Sequence, residues 1–249
     1  MGPDEKEVEV VLANNDRVTL RVGEVFLKID ADQTRTDVEV EAMALAPVPT
    51  PEVLWRTPPV LALAALRGHP LDRLGEPSTA SPEAWAATGA TVAALHGAPL
   101  PPWPGRSVDD LADRLDRECR WLVDHEVVPA EVVARNRRLA ETVLRPWEPA
   151  FVHGDLHIAH LFVDGDEVTG ILDWSEAAQG DPLYDLASLT LTHEQRLDDL
   201  LTGYGRDVDR DLIRAWWSYR CLIAVPWLID NGYGTPGELP EVSVLLSLS

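Results

Sequence analysis

The stretch HGDLHIAH, residues 153–160, places three histidines and one aspartate within eight positions. Two chemistries suit such a group. Histidines with a carboxylate are preferred zinc ligands, so the stretch could form the metal centre of a hydrolase. An aspartate followed five residues later by a metal ligand is also the spacing of a phosphoryl-transfer loop. Asp155 and His160 have that spacing.

Residues outside this stretch favour phosphoryl transfer. A kinase also needs a second metal-binding aspartate after a short hairpin, and Asp173 follows a predicted hairpin whose turn is Asp164-Gly165. It further needs a lysine on an early strand, held by a glutamate of the following helix. The zinc hypothesis gives none of these residues a role.

Lysine is rare in this sequence, and one of its positions is unusual. Only two of the 21 basic residues are lysines, Lys6 and Lys28. Lys28 lies in the apolar strand pattern EVFLKID. A compact ammonium that reaches phosphates as a point charge cannot be replaced by a planar guanidinium. We therefore expect Lys28 to contact the phosphates of a nucleotide.

The elements around these residues change in type along the chain. The first sixty residues predict five strands and one helix, and the helix begins near Thr36 or Asp37. A linker follows, and Ser81-Pro82 and the Ser107/Asp110 capping box then start helices. A third helix is predicted over residues 130–144, before the strand, loop and hairpin that carry the reactive residues. Residues 181–230 predict further helices, whose aromatic residues have helical spacing and favour core packing over a substrate platform: Trp216, Trp217, Tyr219 and Trp227.

These ordered features resemble the aminoglycoside phosphotransferase family, the antibiotic kinases related to protein kinases. The stretch FVHGDLHIAHLFVDGDEVTGILDWSEAAQGDPLYDLASL, residues 151–189, is similar to the two signature blocks of that family. The resemblance implies an α+β, bilobal protein-kinase-like fold with a small β-rich N-lobe and a larger, mostly helical C-lobe. We expect the N-lobe over residues 1–63, a hinge over 64–72 and the C-lobe over 73–249.

The resemblance also implies roles for single residues of the catalytic loop. Asp155 would be the catalytic base, and His160 and Asp173 would hold Mg²⁺, with Mn²⁺ as the alternative. His153, Asp181 and Asp185 would support the loop.

Nucleotide binding is implied for a second set of residues. VEAMALAPVPTPEVL is similar to the family's passage from the lysine-holding helix to the fourth strand, which makes Glu41 the partner of Lys28, with Glu39 as the rival. VLALAALRGHPL is similar to its hinge, where the backbone of Ala64 to Leu66 would meet a nucleobase.

The implied function is transfer of the γ-phosphate of ATP or GTP to a hydroxyl of an antibiotic-like molecule: an aminoglycoside, a macrolide or a peptide antibiotic. Two alternatives remain at this point. One is a non-catalytic, kinase-like protein that binds a nucleotide or another ligand. The other is the zinc-dependent hydrolase.

Three positions depart from the family pattern. His160 replaces the usual asparagine, as in macrolide phosphotransferases, and Ser175 replaces a frequent glycine. The segment between Val8 and Lys28 contains no glycine-rich loop. Asn14, Asn15 and Asp16 predict a tight turn there instead, because these residues tolerate a left-handed backbone.

Composition limits the partners. A net charge of −21 and a pI of about 4.5 argue against nucleic acid and are compatible with a cationic small molecule. The longest apolar run is interrupted by Pro226 and is too short to span a membrane. With no secretory signal and two distant cysteines, Cys119 and Cys221, we expect a cytoplasmic monomer or homodimer with reduced thiols.

Overall fold

The computed structural model describes residues 7–13, 17–73 and 75–248. Its N-terminal part is a five-stranded antiparallel sheet in the order β1-β2-β3-β5-β4. Its strands are β1 (Val8–Ala13), β2 (Arg17–Val22), β3 (Val25–Asp30), β4 (Val53–Thr57) and β5 (Val60–Ala64). The predicted turn at residues 14–16 lies outside the described residues.

The single helix of this part, α1 (Gln33–Leu45), joins β3 to β4. Asp32 caps it by accepting a hydrogen bond from the backbone N–H of Thr34. The expected start at Thr36 or Asp37 is therefore wrong by about one turn. Thr36, Glu39 and Met43 are buried at helical spacing, so Glu39 lies on the inner face of α1, whereas Glu41 is exposed.

The register of the sheet sets the position of Lys28. Lys28 pairs across β3 with Thr19 on β2 and with Leu61 on β5, which is fully buried. It thus lies on a central strand, and its side chain shares a face with its cross-strand partners. This is the face from which it reaches α1.

The remainder of the chain is mostly helical and contains two small antiparallel sheets. One has the order β6-β8-β9 and the other pairs β7 with β10. Their strands are β6 (His69–Pro70), β7 (Ala150–Val152), β8 (Leu161–Asp164), β9 (Glu167–Ile171) and β10 (Ala178–Gly180). The helices are α2 (Pro82–His96), α3 (Val108–Asp124), α4 (Ala130–Glu141), α5 (Pro182–Thr190), α6 (Leu197–Tyr204), α7 (Arg210–Asp230) and α8 (Pro240–Ser247).

Local signals account for most of these helices. Ser81 caps α2, and the Ser107/Asp110 capping box of α3 is confirmed. The last helix, α8, was not predicted, and β6 lies inside the predicted linker. In β6, His69 and Pro70 pair with β8, which joins the linker to the hairpin that follows the catalytic loop.

The core of the helical part is built around α7. Trp216 and Tyr219 on α7 are almost completely buried, as are Trp85 on α2 and Phe151 on β7. Both cysteines are free and buried. A β-rich sheet followed by a helical region confirms the predicted fold class. Among the described residues, no helix is both long enough and apolar enough to cross a bilayer.

Candidate active site

The HGDLHIAH loop connects β7 to β8 and is held by hydrogen bonds to Asp185 on α5. Gly154 has φ +81°, and a Cβ there would lie 2.3 Å from the carbonyl oxygen of Glu176, so only glycine fits. The buried carboxylate of Asp185 accepts the backbone N–H of His153 at 2.7 Å and of Gly154 at 3.0 Å. Burial by itself would raise the pKa of Asp185, but the hydrogen bond from His96 on α2, followed by the contacts with His153, lowers it. Asp185 thus fixes the start of the loop.

His153 fixes the loop from inside. Its Nε2 lies 2.8 Å from the carbonyl oxygen of Leu172 and therefore carries the proton, while Nδ1 accepts the N–H of Asp155 at 3.3 Å. The ring is fully buried, and burial lowers its pKa. Since both nitrogens are engaged, His153 is a neutral structural residue.

Asp181 does not share this role. It caps α5 through the N–H of Leu183 and accepts the indole N–H of Trp216 at 3.0 Å. Within the described ranges, none of its hydrogen bonds reaches the catalytic loop. The support of the loop predicted for Asp181 is therefore indirect, through α5, which carries Asp185.

Asp155 presents its carboxylate to the surface of the cleft, with 37% of the side chain exposed. The guanidinium of Arg220, on α7, donates to its Oδ1 at 3.2 Å and to the hydroxyl of Tyr184 at 3.0 Å. Burial by itself would raise the pKa of Asp155. The charge of Arg220 outweighs it and lowers the pKa below its usual value. Asp155 is therefore ionised and oriented at neutral pH.

His160 ends the loop beside Asp173. Its Nδ1 lies 3.0 Å from the carbonyl oxygen of Asp155, which accepts, so Nδ1 carries the proton. The other nitrogen, Nε2, keeps its lone pair and lies 3.9 Å from Oδ2 of Asp173. An imidazole nitrogen and a carboxylate thus face the same small volume.

Asp173 follows β9 with a left-handed backbone, φ 61° and ψ 66°, which aspartate adopts more readily than most residues. Its carboxylate receives Lys28 at 3.0 Å, Arg17 at 3.3 Å and the hydroxyl of Ser175 at 3.2 Å. Burial favours the neutral form, but the charges of Lys28 and Arg17 hold the pKa of Asp173 well below its usual range. The carboxylate is therefore charged when it meets a ligand.

Lys28 is held by Glu39 and not by Glu41. Its Nζ donates to both carboxylate oxygens of Glu39, at 2.5 and 2.7 Å. Burial raises the pKa of Glu39, and the adjacent ammonium opposes that effect. The predicted pairing with Glu41 is wrong, because Glu41 lies on the outer face of α1.

Arg17 joins this group from β2, and no feature of the sequence singled it out. Its Nε donates to Asp30 at 2.9 Å, and its terminal nitrogens reach Asp173 and Ser175. Arg17 and Asp30 are cross-strand partners, a signal that becomes visible only when the register is known. The guanidinium therefore connects the N-terminal sheet to the end of the hairpin.

The segment predicted to meet a nucleobase lies where β5 ends. The N–H groups of Ala64 and Ala65 donate to the carbonyls of Glu52 and Glu24. The backbone of Leu66, by contrast, makes no hydrogen bond to the part of the chain that the structure describes. Its side chain lies across Gly170 on β9, where a Cβ would come within 2.4 Å of it. Of the three residues, Leu66 keeps its backbone donor and acceptor available.

A second possible ligand group overlaps the loop. Asp155, His157 and His160 bring ligand atoms within 4.8 Å of one another, the grouping that a zinc hydrolase would use. His157 stacks on His160 with ring centroids 3.6 Å apart, and burial lowers its pKa to about 3. However, the guanidinium on Asp155 repels a cation bound there. The carboxylate of the rival pair, Asp173 with His160, is likewise contacted by Lys28 and Arg17, so charge repulsion alone does not separate the two groupings.

Two supporting residues were missed by sequence reasoning. His96 on α2 donates from Nε2 to Asp185 at 3.1 Å and contacts the hydroxyl of Tyr204 with its other nitrogen. Nothing in the sequence near His96 indicates this. Arg220 did carry a signal, because it is the single charge within the apolar run WWSYRCLIAVPW.

Comparison with known proteins identifies the family to which this chain belongs. The sequence pattern of the phosphotransferase enzyme family matches residues 13–220, which include strands β2 to β5, the catalytic loop, Asp173 and Arg220. The chain belongs to this phosphotransferase family. The expected enzyme class, a phosphotransferase with an alcohol group as acceptor, is thereby confirmed. A curated relative, the uncharacterized protein YcbJ of Bacillus subtilis (strain 168), is 46% identical over 61 residues, which are 24% of this chain and 20% of that protein.

Solved structures of other phosphotransferases share the fold. The macrolide 2'-phosphotransferase MphH from Brachybacterium faecium superposes with a TM-score of 0.67 over 98% of this chain and 92% of that one, at 21% identity. The spectinomycin phosphotransferase APH(9)-Ia, in complex with ADP and its antibiotic, gives a TM-score of 0.71 over 96% and 92% of the two chains, at 11% identity. At such identities the likeness concerns the fold alone.

Proposed function

We propose that this protein transfers the terminal phosphoryl group of ATP or GTP to a hydroxyl of an antibiotic-like small molecule. One observation carries the proposal. Lys28, from the N-terminal sheet, and His160, from the loop that holds Asp155, both approach the same carboxylate, Asp173. Phosphoryl transfer needs this combination of a phosphate-binding lysine, a metal-binding pair and an aspartate directed at the acceptor.

Asp155 acts on the acceptor hydroxyl. It accepts the hydroxyl proton and orients the oxygen in line with the phosphoryl group. Arg220 supports this role in two ways, by fixing the carboxylate and by keeping it ionised at neutral pH. The backbone carbonyl of the same residue receives His160, so that the acceptor and phosphate sides share one loop.

Lys28 binds the α- and β-phosphates, and Glu39 holds its ammonium in position. The buried carboxylate prevents the lysine from turning away when no nucleotide is bound. The backbone of the Ala64 to Leu66 segment receives the base, with Leu66 offering the available donor and acceptor. Glu41, being exposed, has no part in this site.

The residues between the loop and the hairpin fit a divalent cation. Mg²⁺ is commonly held by one or two carboxylates together with substrate phosphates and water, and Asp173 supplies such a carboxylate. Nε2 of His160 adds an imidazole ligand, which suits Mn²⁺ at least as well. When bound, the cation would neutralise charge on the β- and γ-phosphates. Arg17 and Lys28 keep Asp173 ionised and orient it for this role.

The acceptor class follows from the family and from the local chemistry. Solved relatives with this fold are named for macrolides and spectinomycin, which supports an antibiotic-like alcohol. A cavity of about 60 Å³ adjoins Gly154 and is lined by Arg106, Tyr184 and Trp216 among others. It is far smaller than the several hundred Å³ of a typical ligand pocket, so a large acceptor would rest on open surface.

Two measurements, made one after the other, test the proposal. Thermal-shift titrations with Mg·ATP and with Mg·GTP at millimolar levels should raise Tm with at least one of them. Transfer of labelled γ-phosphate should then be followed over macrolides, aminoglycosides and peptide antibiotics. An absence of stabilisation by either nucleotide would favour the non-catalytic alternative. Stoichiometric zinc in protein prepared without added metal would favour the hydrolase.

A further inference from the structure

Helix α7 is buried on almost every side except along one narrow stripe. Between Ala215 and Pro226 every residue is buried apart from Arg220 and Ala224, and Trp227 follows with 49% of its surface exposed. Positions i, i+4 and i+7 lie on one face of a helix. Arg220, whose side chain is 16% exposed, and the partly buried Ala224 therefore lie in line with the exposed Trp227, and we call these three positions the α7 strip.

The α7 strip starts at the catalytic loop. Arg220, at its first position, contacts the carboxylate of Asp155. Seven residues of helix at 1.5 Å each place Trp227 roughly 10 Å further along the axis. The surface that leads away from Asp155 along α7 thus ends at a half-exposed indole.

The indole at that end is one half of an aromatic pair. Trp227 stacks on Tyr233, which is 50% exposed, with ring centroids 5.2 Å apart and planes at 24°. The sequence predicts Trp227 as a core residue together with Trp216, Trp217 and Tyr219. Those three are buried, and Trp227 alone of the four is exposed. Two large rings held against each other in water form a flat apolar surface that a ligand can cover.

The ring geometry and the nearby charges select the ligand chemistry. The two ring planes lie at 24° to each other and present a flat face of the kind that stacks on another planar or apolar group. At the other end of the strip, the guanidinium of Arg220 repels a cationic group close to the reacting hydroxyl. An uncharged group with a flat or apolar face fits both ends.

We propose that Trp227 and Tyr233 form an acceptor subsite that binds a flat or apolar group located about 10 Å from the hydroxyl to be phosphorylated. The inference rests on the proposed function for the role of Asp155. It adds a substrate class: an alcohol with a distant hydrophobic part, bound along the α7 strip.

Binding can be tested without any transfer of phosphate. In ¹⁵N-labelled Asp155→Asn protein, the indole N–H signal of Trp227 is identified by its loss in a Trp227→Phe variant. Three probes are titrated: 6-phenylhexan-1-ol, hexan-1-ol and (6-hydroxyhexyl)trimethylammonium. We expect the phenyl alcohol to shift the Trp227 signal and to bind about tenfold more tightly than the other two. Trp227→Ala should remove that advantage, and Trp227→Phe should keep most of it.

The matched control is Trp55→Ala, which removes a tryptophan of similar exposure, 47%, from β4. It should leave the binding of all three probes unchanged. Equal affinity for the phenyl alcohol and hexan-1-ol, tighter binding of the ammonium probe, or an unchanged affinity in Trp227→Ala would each overturn the subsite.

Kinetics separate this inference from the proposed function. With a phosphorylated apolar alcohol, Trp227→Ala should raise KM about tenfold and leave kcat within a factor of about two. If no alcohol is phosphorylated while the phenyl probe still shifts Trp227, the proposed function fails and the subsite stands. If transfer occurs and KM is unchanged in Trp227→Ala, the subsite fails and the proposed function stands.

Discussion

The side of Asp155 that faces the nucleotide phosphates and the side that faces the acceptor differ in the residues that form them. On the phosphate side, four charged residues are locked together, Lys28 with Glu39 and Asp173, and Arg17 with Asp173, and all lie within the cleft. On the acceptor side, one guanidinium begins the α7 strip, which ends in stacked aromatic rings. The phosphate side thus holds its charged groups in ion pairs, whereas the acceptor side offers an aromatic surface.

This difference follows from what each side must bind. Nucleotide phosphates carry the same charge in every reaction of this class, so a preorganised set of ion pairs is useful whatever the acceptor is. Acceptors differ in shape and polarity, and a surface that recognises one of them need not contain charge. The residues of the phosphate side can therefore be predicted from the sequence, and those of the acceptor side cannot.

The largest effect should come from the residue that both sides share. Asp155→Asn removes the proton acceptor while keeping the size of the side chain, so kcat should fall by about a hundredfold to ten-thousandfold. Nucleotide affinity, measured by calorimetry, should change by no more than about twofold, because Lys28, His160 and Asp173 are untouched. Turnover within tenfold of the unmodified enzyme would remove Asp155 from the proposed role.

The phosphate side can be broken at the buried ion pair. Glu39→Gln leaves the Lys28 ammonium without its buried carboxylate, and loss of one partner of such a pair costs about 3 kcal/mol of unfolding free energy. Nucleotide affinity should also fall, by at least about tenfold, because the lysine is no longer held toward the phosphates. Urea denaturation and calorimetric titration measure the two effects.

Glu41→Gln is the matched control, since it makes the same change two residues away on the exposed face of α1. It should leave both the unfolding free energy and nucleotide affinity unchanged. If Glu41→Gln weakens nucleotide binding as much as Glu39→Gln does, the ion pair is not what positions Lys28.

Much of the phosphate side could be predicted because its chemistry constrains both residue type and spacing. Asp155, His160 and Asp173 come together as their separations of five and eighteen residues predict, with one loop and one hairpin between them. The choice between Glu39 and Glu41 could not be made in this way. Both lie on one short helix, and only the packing of that helix decides which of them faces inward. The structure buries Thr36, Glu39 and Met43 and leaves Glu41 exposed.

The acceptor side escaped prediction for a different reason. Helical spacing groups Trp216, Trp217, Tyr219 and Trp227, but it cannot tell which of them a neighbouring element covers. The structure buries the first three, and only the three-dimensional course of α7 past the loop reveals that the helix face shared by Arg220 and Trp227 starts at Asp155. Tertiary packing, which is absent from local patterns, makes that distinction.

The acceptor side can be weakened at Arg220, the charge that contacts Asp155, with an intermediate effect. Arg220→Met keeps the length of the side chain but frees the Asp155 carboxylate, so kcat should fall about tenfold to a hundredfold through misorientation. Burial raises the pKa of Asp155, and Arg220 is the largest of the charges that lower it. Without Arg220 the pKa rises, and since only the ionised form accepts a proton, the acid limb of log(kcat/KM) should move to higher pH.

Arg114→Met controls for a general change of charge, because Arg114 lines the same small cavity from α3. It should lower kcat by less than about twofold and leave the acid limb where it is. An Arg220→Met enzyme with an unmoved acid limb would show that Arg220 does not set the ionisation of Asp155, whatever happens to kcat.

The smallest expected effect on rate concerns the most unusual ligand, His160. His160→Asn replaces an imidazole with an amide oxygen, a harder ligand that suits Mg²⁺ better and softer cations less well. We expect kcat with Mg²⁺ to stay within about tenfold of the unmodified enzyme. The affinity for Mn²⁺ relative to Mg²⁺ should decline. Electron paramagnetic resonance of bound Mn²⁺ in the presence of nucleotide measures this change. His157→Asn is the control, because this substitution also removes an imidazole from the same loop. The His157 ring stacks on His160 with centroids 3.6 Å apart. If both variants change metal preference equally, the cation does not depend on Nε2 of His160. The phosphate side would then rest on Asp173 alone, and the histidine at residue 160 would serve only to tie the Asp155 carbonyl to the hairpin.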